Sequence, residues 1–212
     1  MSSPGAYLRL ARAGWVLVRE GVIAALPGDQ LSGLAGFGWR VSRVLTRQKA
    51  RKRLRTDRLA DAVARLGPSY VKLGQFLATR PDVVGAGIAA DLSWLQDKME
   101  TFPRADAAAA IEGSLGRPLD DLYAAFGEPV AAASIAQVHP AEVLRDGMPA
   151  KVAVKVIRPG VRRRFRDDLE CFFLAARLQE RFLPATRRLR PVQVAETLAQ
   201  TTKIEMDLRL EA

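Results

Sequence analysis

An α+β fold, mostly helical with one small antiparallel sheet, is predicted for this chain by three observations. Leu59, Val63, Leu66, Tyr70, Leu73 and Leu77 recur at spacings of four, three, four, three and four, the period of an amphipathic helix. Val152, Val154 and Val156 alternate with Ala153, Lys155 and Ile157, the period of a half-buried strand. Pro and Gly punctuation then returns the chain to helical patterning after Pro159-Gly160. The 212 residues, 49% hydrophobic and 26% charged, supply material for a core and exclude disorder over the whole length.

The elements follow in order. Tyr7 through Leu26 fits an amphipathic helix presenting Leu8, Ala11, Trp15 and Val18, closed by a turn at Leu26-Pro27-Gly28-Asp29. Arg47 to Arg58 carries seven basic residues in twelve positions with one acid. It reads as the solvated start of a helix, with a polyanion site as the other reading. One helix is expected over Asp57 to Thr79, stopped by Arg80-Pro81-Asp82. Further helices are expected at about Gly87–Gln96, Pro103–Ser114 and Leu119–Phe126, with a loop at Gly116-Arg117-Pro118. Two or three antiparallel strands follow, turning at Asp146-Gly147-Met148-Pro149. Val161 to Phe182 is helical, Pro184 breaks it, and Pro191 opens a last helix expected to run to Ala212. No solenoid-type repeat is visible.

Composition excludes several chemistries. A single Cys and a single His rule out a disulfide framework and a His/Cys zinc site, making a reduced compartment the default. The longest stretch without a charged side chain, Pro129 to Ala141, contains Ser134, Gln137 and His139 and is shorter than the ~20 apolar residues of a spanning helix. Arg9 and Arg12 break the N-terminus before a secretory signal can develop. The formal charge of +10, from 33 Lys+Arg against 23 Asp+Glu, points to an anionic partner without choosing among nucleic acid, phospholipid and nucleotide.

Four features carry candidate chemistry. Lys155 stands among β-branched residues, either snorkelling to solvent or meeting a carboxylate or phosphate. Upstream, Ala131 to His139 offers a small-residue loop where backbone N–H groups can approach a polyphosphate, less freely than a Gly-rich loop. In the last helix Glu205 interrupts the stripe Val194, Leu198, Thr201 and Leu208, and Glu211 lies ~120° around it, sharing a face with Ile204, Asp207 and Leu208. These acids either meet two separate cations or are ordinary surface acids. Lys72, with Gln75 and Phe76, falls opposite the Leu59–Leu77 stripe. Gly74 in mid-helix costs about 1 kcal/mol, accepted for a close approach or simply tolerated.

Together these pieces resemble the UbiB/ABC1/ADCK family of atypical, protein-kinase-like proteins of ubiquinone biosynthesis. The resemblance rests on KxGQ as Lys72-Leu73-Gly74-Gln75, the alanine-rich Ala131-Ala132-Ala133-Ser134-Ile135-Ala136-Gln137-Val138-His139, the lysine of Val152-Ala153-Val154-Lys155, and ExD as Glu205-Met206-Asp207. It covers roughly residues 57–212 and implies a partial kinase-like N-lobe behind a helical extension. The expected division is a basic helical segment 1–56, a helical extension 57–127 and a truncated N-lobe 128–212.

The resemblance implies roles by position. Lys155 would hold the α/β-phosphates of ATP, with Glu211 as its ion-pair partner. Ala131 to Gln137 would cover the nucleotide. Lys72 would pair with Glu205. Lys72, Gly74, Gln75, Glu205 and Asp207 would be regulatory, in an extension that occludes a protein-substrate groove and favours ATPase or small-molecule kinase activity.

The family's HPGN-containing loop and DFG-type motif, which supply the catalytic groups and the Mg²⁺ ligands, do not occur in this sequence, and no metal-ligand set is expected. The chain is therefore expected to be the N-terminal part of a longer protein, inactive alone. The complete protein is expected to bind ATP with Mg²⁺ at the cytoplasmic side of a bacterial inner membrane, among ubiquinone-biosynthesis proteins and an anionic membrane surface. No flavin site, iron site or GxGxxG fingerprint supports direct redox chemistry. The alternative is a non-catalytic basic module, resting on Arg47–Arg58 and Arg162–Arg166, that binds anionic lipid or nucleic acid. With 7% aromatic residues, nucleic acid is not expected.

Overall fold

A computed structural model describes residues 3–25, 33–95 and 100–210. The expected turn at Leu26–Asp29 lies outside them. Helices α1 (Pro4–Arg19), α2 (Gly33–Leu45), α3 (Gln48–Arg51), α4 (Arg55–Leu66), α5 (Pro68–Ala78), α6 (Pro81–Val84), α7 (Ala86–Ser93), α8 (Arg104–Leu115) and α9 (Leu119–Leu122) come first. Strands β1 (Ala125–Phe126), β2 (Ala131–Ala132), β3 (Ala136–Arg145) and β4 (Met148–Ile157) follow, then α10 (Val161–Phe182) and α11 (Pro191–Glu205). The α+β class and helical predominance are those expected. The chain forms two compact units, Met1–Gln96 with Phe165–Gln200 and Asp97–Arg164 with Thr201–Ala212.

In the first unit, Pro4 opens α1 where its missing N–H is harmless, and the Ser3 hydroxyl caps the helix by accepting from the Ala6 N–H at 3.3 Å. The helix expected over Asp57–Thr79 is two helices. Pro68 disfavours a helical conformation at the preceding residue, and Gly67 takes φ 104°, so α4 ends at Leu66 and α5 starts afresh at Pro68. Burial is redistributed with that break: Val71 and Gly74 are buried on α5, while Leu73 and Leu77 are only half-buried. At Gly74 a Cβ would come within 2.4 Å of Leu95 Cδ1 and 3.4 Å of Leu92 Cδ2, so the glycine serves a close approach by side chains rather than by a ligand or backbone. Tyr70 meets Phe172 of α10 edge-on at 4.9 Å, and its hydroxyl lies 3.7 Å from the buried Cys171 sulfur.

The basic segment is mostly exposed and runs into α4 at Arg55, as a solvated helix start does. Only Gln48–Arg51 is helical before α4, and five of its seven cations are engaged within the unit. Arg47 pairs with Glu20, Arg53 with Asp61 and Arg55 with Asp91, while Arg51 and Arg58 donate to backbone carbonyls.

The second unit is built on β3. Along one edge it pairs antiparallel with β4 from Ala136↔Ile157 to Arg145↔Met148; along the other it pairs with β1 and then β2. Asp146 and Gly147 close the β3–β4 hairpin with φ of 55° and 77°, the two-residue geometry an Asp-Gly pair favours. The helix expected over Leu119–Phe126 stops at Leu122. Tyr123 is extended, the Ala124 N–H bonds the Glu142 carbonyl at 2.8 Å, and Ala125–Phe126 joins the sheet. One sheet face carries Ala141 and Val156 into a core with Phe102, Ala107, Ile111, Leu119 and Phe126. The last helix ends at Glu205 rather than at the chain end, and its buried face is Ala195, Leu198 and Thr202 rather than Thr201 and Glu205. Asp207 and Leu208 therefore lie beyond α11, off the helical face expected for them with Ile204.

Candidate functional site

Strand register brings the alanine-rich segment and the strand lysine together. Ala131 pairs with Val138, and Val138 pairs with Lys155, so the three form one cross-strand row. Directly opposed residues of an antiparallel pair project to the same face, so Ala131, Val138 and Lys155 share the face opposite the core. Ala131 and Lys155 are exposed there.

A cleft of about 890 Å³ wraps the Lys155 end of β4, with the C-terminal half of α8 on one side. Lys155, Arg162, Lys203 and Arg209 bring four cations to it, and among the described residues Asp207 is the one carboxylate lining it. Asp207 is already engaged, because Arg209 grips both carboxylate oxygens at 2.7 and 2.6 Å. That charge-assisted pair pulls the Asp207 pKa down to about 2. Arg162 donates to the Met206 carbonyl at 2.6 Å, a neutral acceptor that fixes the guanidinium without cancelling its charge. Ser114 and Tyr123 add hydroxyls, and burial raises the Tyr123 pKa, so the phenol stays a donor at neutral pH. Such a site attracts a polyanion of nucleotide size. Among the described residues no group of three or more His, Cys, Asp or Glu side chains is disposed to hold a metal ion.

The other candidate residues are placed as follows. Ala132 and Ala133 are half-buried, and the Ala133 N–H is committed to the Ala136 carbonyl at 2.8 Å. Ser134, Ile135, Ala136 and Gln137 are buried. The Gln137 amide is saturated internally. Its Oε1 accepts from the Phe102 N–H at 3.0 Å, and its Nε2 donates to the Phe102 carbonyl at 3.1 Å and to His139 Nε2 at 2.8 Å. Gln137 thus ties the sheet to the segment before α8. Lys72, Gly74 and Gln75 belong to the first unit, Glu205 and Asp207 to the second. Glu205 is half-buried at the end of α11, and Glu211 lies outside the described residues. Lys203, Arg209, Ser114 and Tyr123 were not singled out in sequence, and Arg162 only as part of the basic run Arg162–Arg166. Their convergence depends on where α11 stops and how α8 packs, which no local pattern encodes.

A family model described as the ABC1 atypical kinase-like domain matches residues 94–212, more than half of the chain. A protein of Marinobacter nauticus named "Probable protein kinase UbiB" is 41% identical over 206 residues, covering 96% of this chain and 37% of that protein. Proteins of the same name from Pseudomonas paraeruginosa and Vibrio cholerae are 41% and 38% identical over 98% and 99% of this chain, and 39% and 38% of their own lengths. The chain thus spans less than two fifths of the length of these relatives. Its helices before the sheet form an N-terminal extension, and the antiparallel sheet with the helix that follows forms a partial kinase-like N-lobe. The chain belongs to the UbiB/ABC1 family of atypical kinase-like proteins.

Proposed function

We propose that this chain is the nucleotide-binding N-terminal portion of an atypical kinase or ATPase that supports ubiquinone biosynthesis. The observation that carries the reading is the cationic cleft around Lys155, at the β4 edge of the sheet. In this reading the Lys155 ammonium neutralises the α/β-phosphates, Arg162 and Lys203 hold charge at the rim, and the hairpin Ala131–Gln137 covers the nucleotide with its backbone. ATP, when bound, supplies the phosphoryl group to be transferred. Mg²⁺ ligands and the group that accepts a substrate proton come from outside this chain. Glu211 orients Lys155 by ion pairing, and Lys72, Gly74, Gln75, Glu205 and Asp207 keep the regulatory roles the family resemblance gives them. The complete protein works at the cytoplasmic side of a bacterial inner membrane, against an anionic lipid surface and beside other ubiquinone-biosynthesis proteins.

Lys155→Ala in the complete protein is expected to abolish ATP binding measured by calorimetry or a fluorescent nucleotide analogue. Wild-type affinity in that variant would overturn the assignment. The non-catalytic alternative, a basic module for nucleic acid, finds less support, because Arg47, Arg53 and Arg55 of the basic segment are paired with carboxylates. Its lipid form is favoured by a specific feature of the first unit.

A further inference from the structure

A second cavity, of about 740 Å³, lies in the first unit and is lined by Arg40, Arg43, Arg51 and Arg58 with Val44 and Thr46. No carboxylate lines it among the described residues. Arg51 donates to the carbonyls of Arg43 and Val44 at 2.7 and 3.0 Å, and Arg58 to those of Arg51 and Arg53 at 3.0 and 3.1 Å. These bonds fix two guanidiniums while leaving their charge uncompensated, since carbonyls are neutral acceptors. Arg40 and Arg43 are exposed on α2, and the Arg43 guanidinium lies 5.0 Å over the Trp39 ring. Four cations around one cavity repel one another until an anion joins them.

The helix that carries two of these arginines also presents an apolar row to solvent. Phe37, Val41 and Val44 are 66%, 37% and 75% exposed. At 3.6 residues per turn their i, i+4, i+7 spacing keeps them within roughly 60° of arc, with Arg40 about 60° to one side. Val44 belongs both to this row and to the arginine cavity. Trp15, also exposed, borders the same end of α2: the Arg19 guanidinium is 5.7 Å from its ring and bonds the Leu45 carbonyl at 3.1 Å. An indole at the junction of apolar and cationic surface suits a membrane interface.

We infer that α2 and its arginine cavity form a docking surface for an anionic phospholipid bilayer. Headgroup phosphates enter the cavity, while Phe37, Val41, Val44 and Trp15 sink into the boundary between headgroups and acyl chains. Charge complementarity selects the anionic lipid, and the apolar row, two valines with a single aromatic ring, suits a bilayer better than RNA, which would want several stacking aromatics on that row. The inference rests on the membrane part of the proposed function and gives it residues; it is independent of the Lys155 cleft.

The test is co-sedimentation of the 212-residue chain with phosphatidylcholine vesicles, with and without about one third phosphatidylglycerol. Wild type and Lys155→Ala are expected to bind the anionic vesicles alike and the neutral ones weakly. The double variant Arg40→Gln, Arg43→Gln should partition about twenty-five-fold less, near five-fold per arginine. Phe37→Ser with Val44→Ser should lose about ten-fold or more through lost insertion. All four positions are exposed, and circular dichroism checks that each variant folds. Undiminished binding of both variants would overturn the α2 site while leaving membrane association standing. Failure of wild type to bind anionic vesicles would overturn both. Loss in the arginine variant alone, with displacement by single-stranded RNA, would mark a nucleic-acid site and overturn the inference. A Phe37-dependent dimer in place of vesicle binding would overturn it as well.

Discussion

Asp207 and Gln137 show how far a residue's neighbours redefine it. Asp207 belongs to the ExD motif, yet its nearest described partner is Arg209, two residues on, gripping both carboxylate oxygens. A carboxylate whose folded pKa is depressed gains from its pairing above the ordinary value, and loses that gain as pH falls through the folded one. For Asp207 the window runs from 3.8 down to about 2. A ¹³C NMR titration of its carboxyl should therefore give a midpoint of about 2, returning towards 3.8 in Arg209→Ala. A wild-type midpoint near 3.8 would sink the pairing. Gln137 belongs to the alanine-rich motif, yet its amide is spent on Phe102 and His139. The Gly127 carbonyl can only accept, so His139 Nδ1 donates to it at 2.8 Å and Nε2 receives the Gln137 proton. The motif's polar side chain thus holds the sheet to its flanking segments.

Among the elements, α5 shows what a one-dimensional pattern omits. The apolar spacing from Leu59 to Leu77 is regular across Gly67-Pro68, so periodicity alone reads one helix. Backbone chemistry breaks it, and the face that α5 buries is then set by α7. Gly74→Val should destabilise the protein by about 2 kcal/mol in urea denaturation, because the branched side chain must displace Leu95 and press on Leu92. Gly74→Ala should lie within about 1 kcal/mol of wild type, its better helix propensity offsetting a shift of the Leu95 side-chain tip. Equal stability of the valine variant would show that Leu92 of α7 and the following Leu95 do not hold Gly74. The end of α11 is the same lesson at the opposite terminus. Nothing in Glu205-Met206-Asp207-Leu208 forbids a helix, yet the helix stops there and turns Asp207 and Arg209 towards the Lys155 cleft.

For the whole molecule, the +10 charge is divided by function rather than spread evenly. One set of cations lines the Lys155 cleft, another lines the α2 cavity, and Arg47, Arg65, Arg53 and Arg55 are paired internally with Glu20, Asp61 and Asp91. Cations spent on internal pairs contribute little long-range attraction, so binding to anionic vesicles should respond to the exposed ones. Raising NaCl from about 50 to 300 mM should weaken vesicle binding severalfold in wild type, and less in Arg40→Gln, Arg43→Gln. An equal salt response in both would place the electrostatic contact elsewhere on the surface.

The sequence by itself determined the class, the sheet, the Asp146-Gly147 turn, the helix from Val161 to Phe182 and the motifs that mark the family. These depend on short-range periodicity, turn chemistry and residue order, all local in the chain. Tertiary structure alone decided that Lys155 shares a row with Ala131, and that Arg162, Lys203 and Arg209 converge on it from distant segments. It alone decided that Gly74 yields to Leu95, and that the arginines around α2 surround one cavity. Each of those results depends on strand register, on where a helix ends, or on which faces pack. Such choices are fixed by burial and hydrogen bonding between residues far apart in sequence, which no local pattern records.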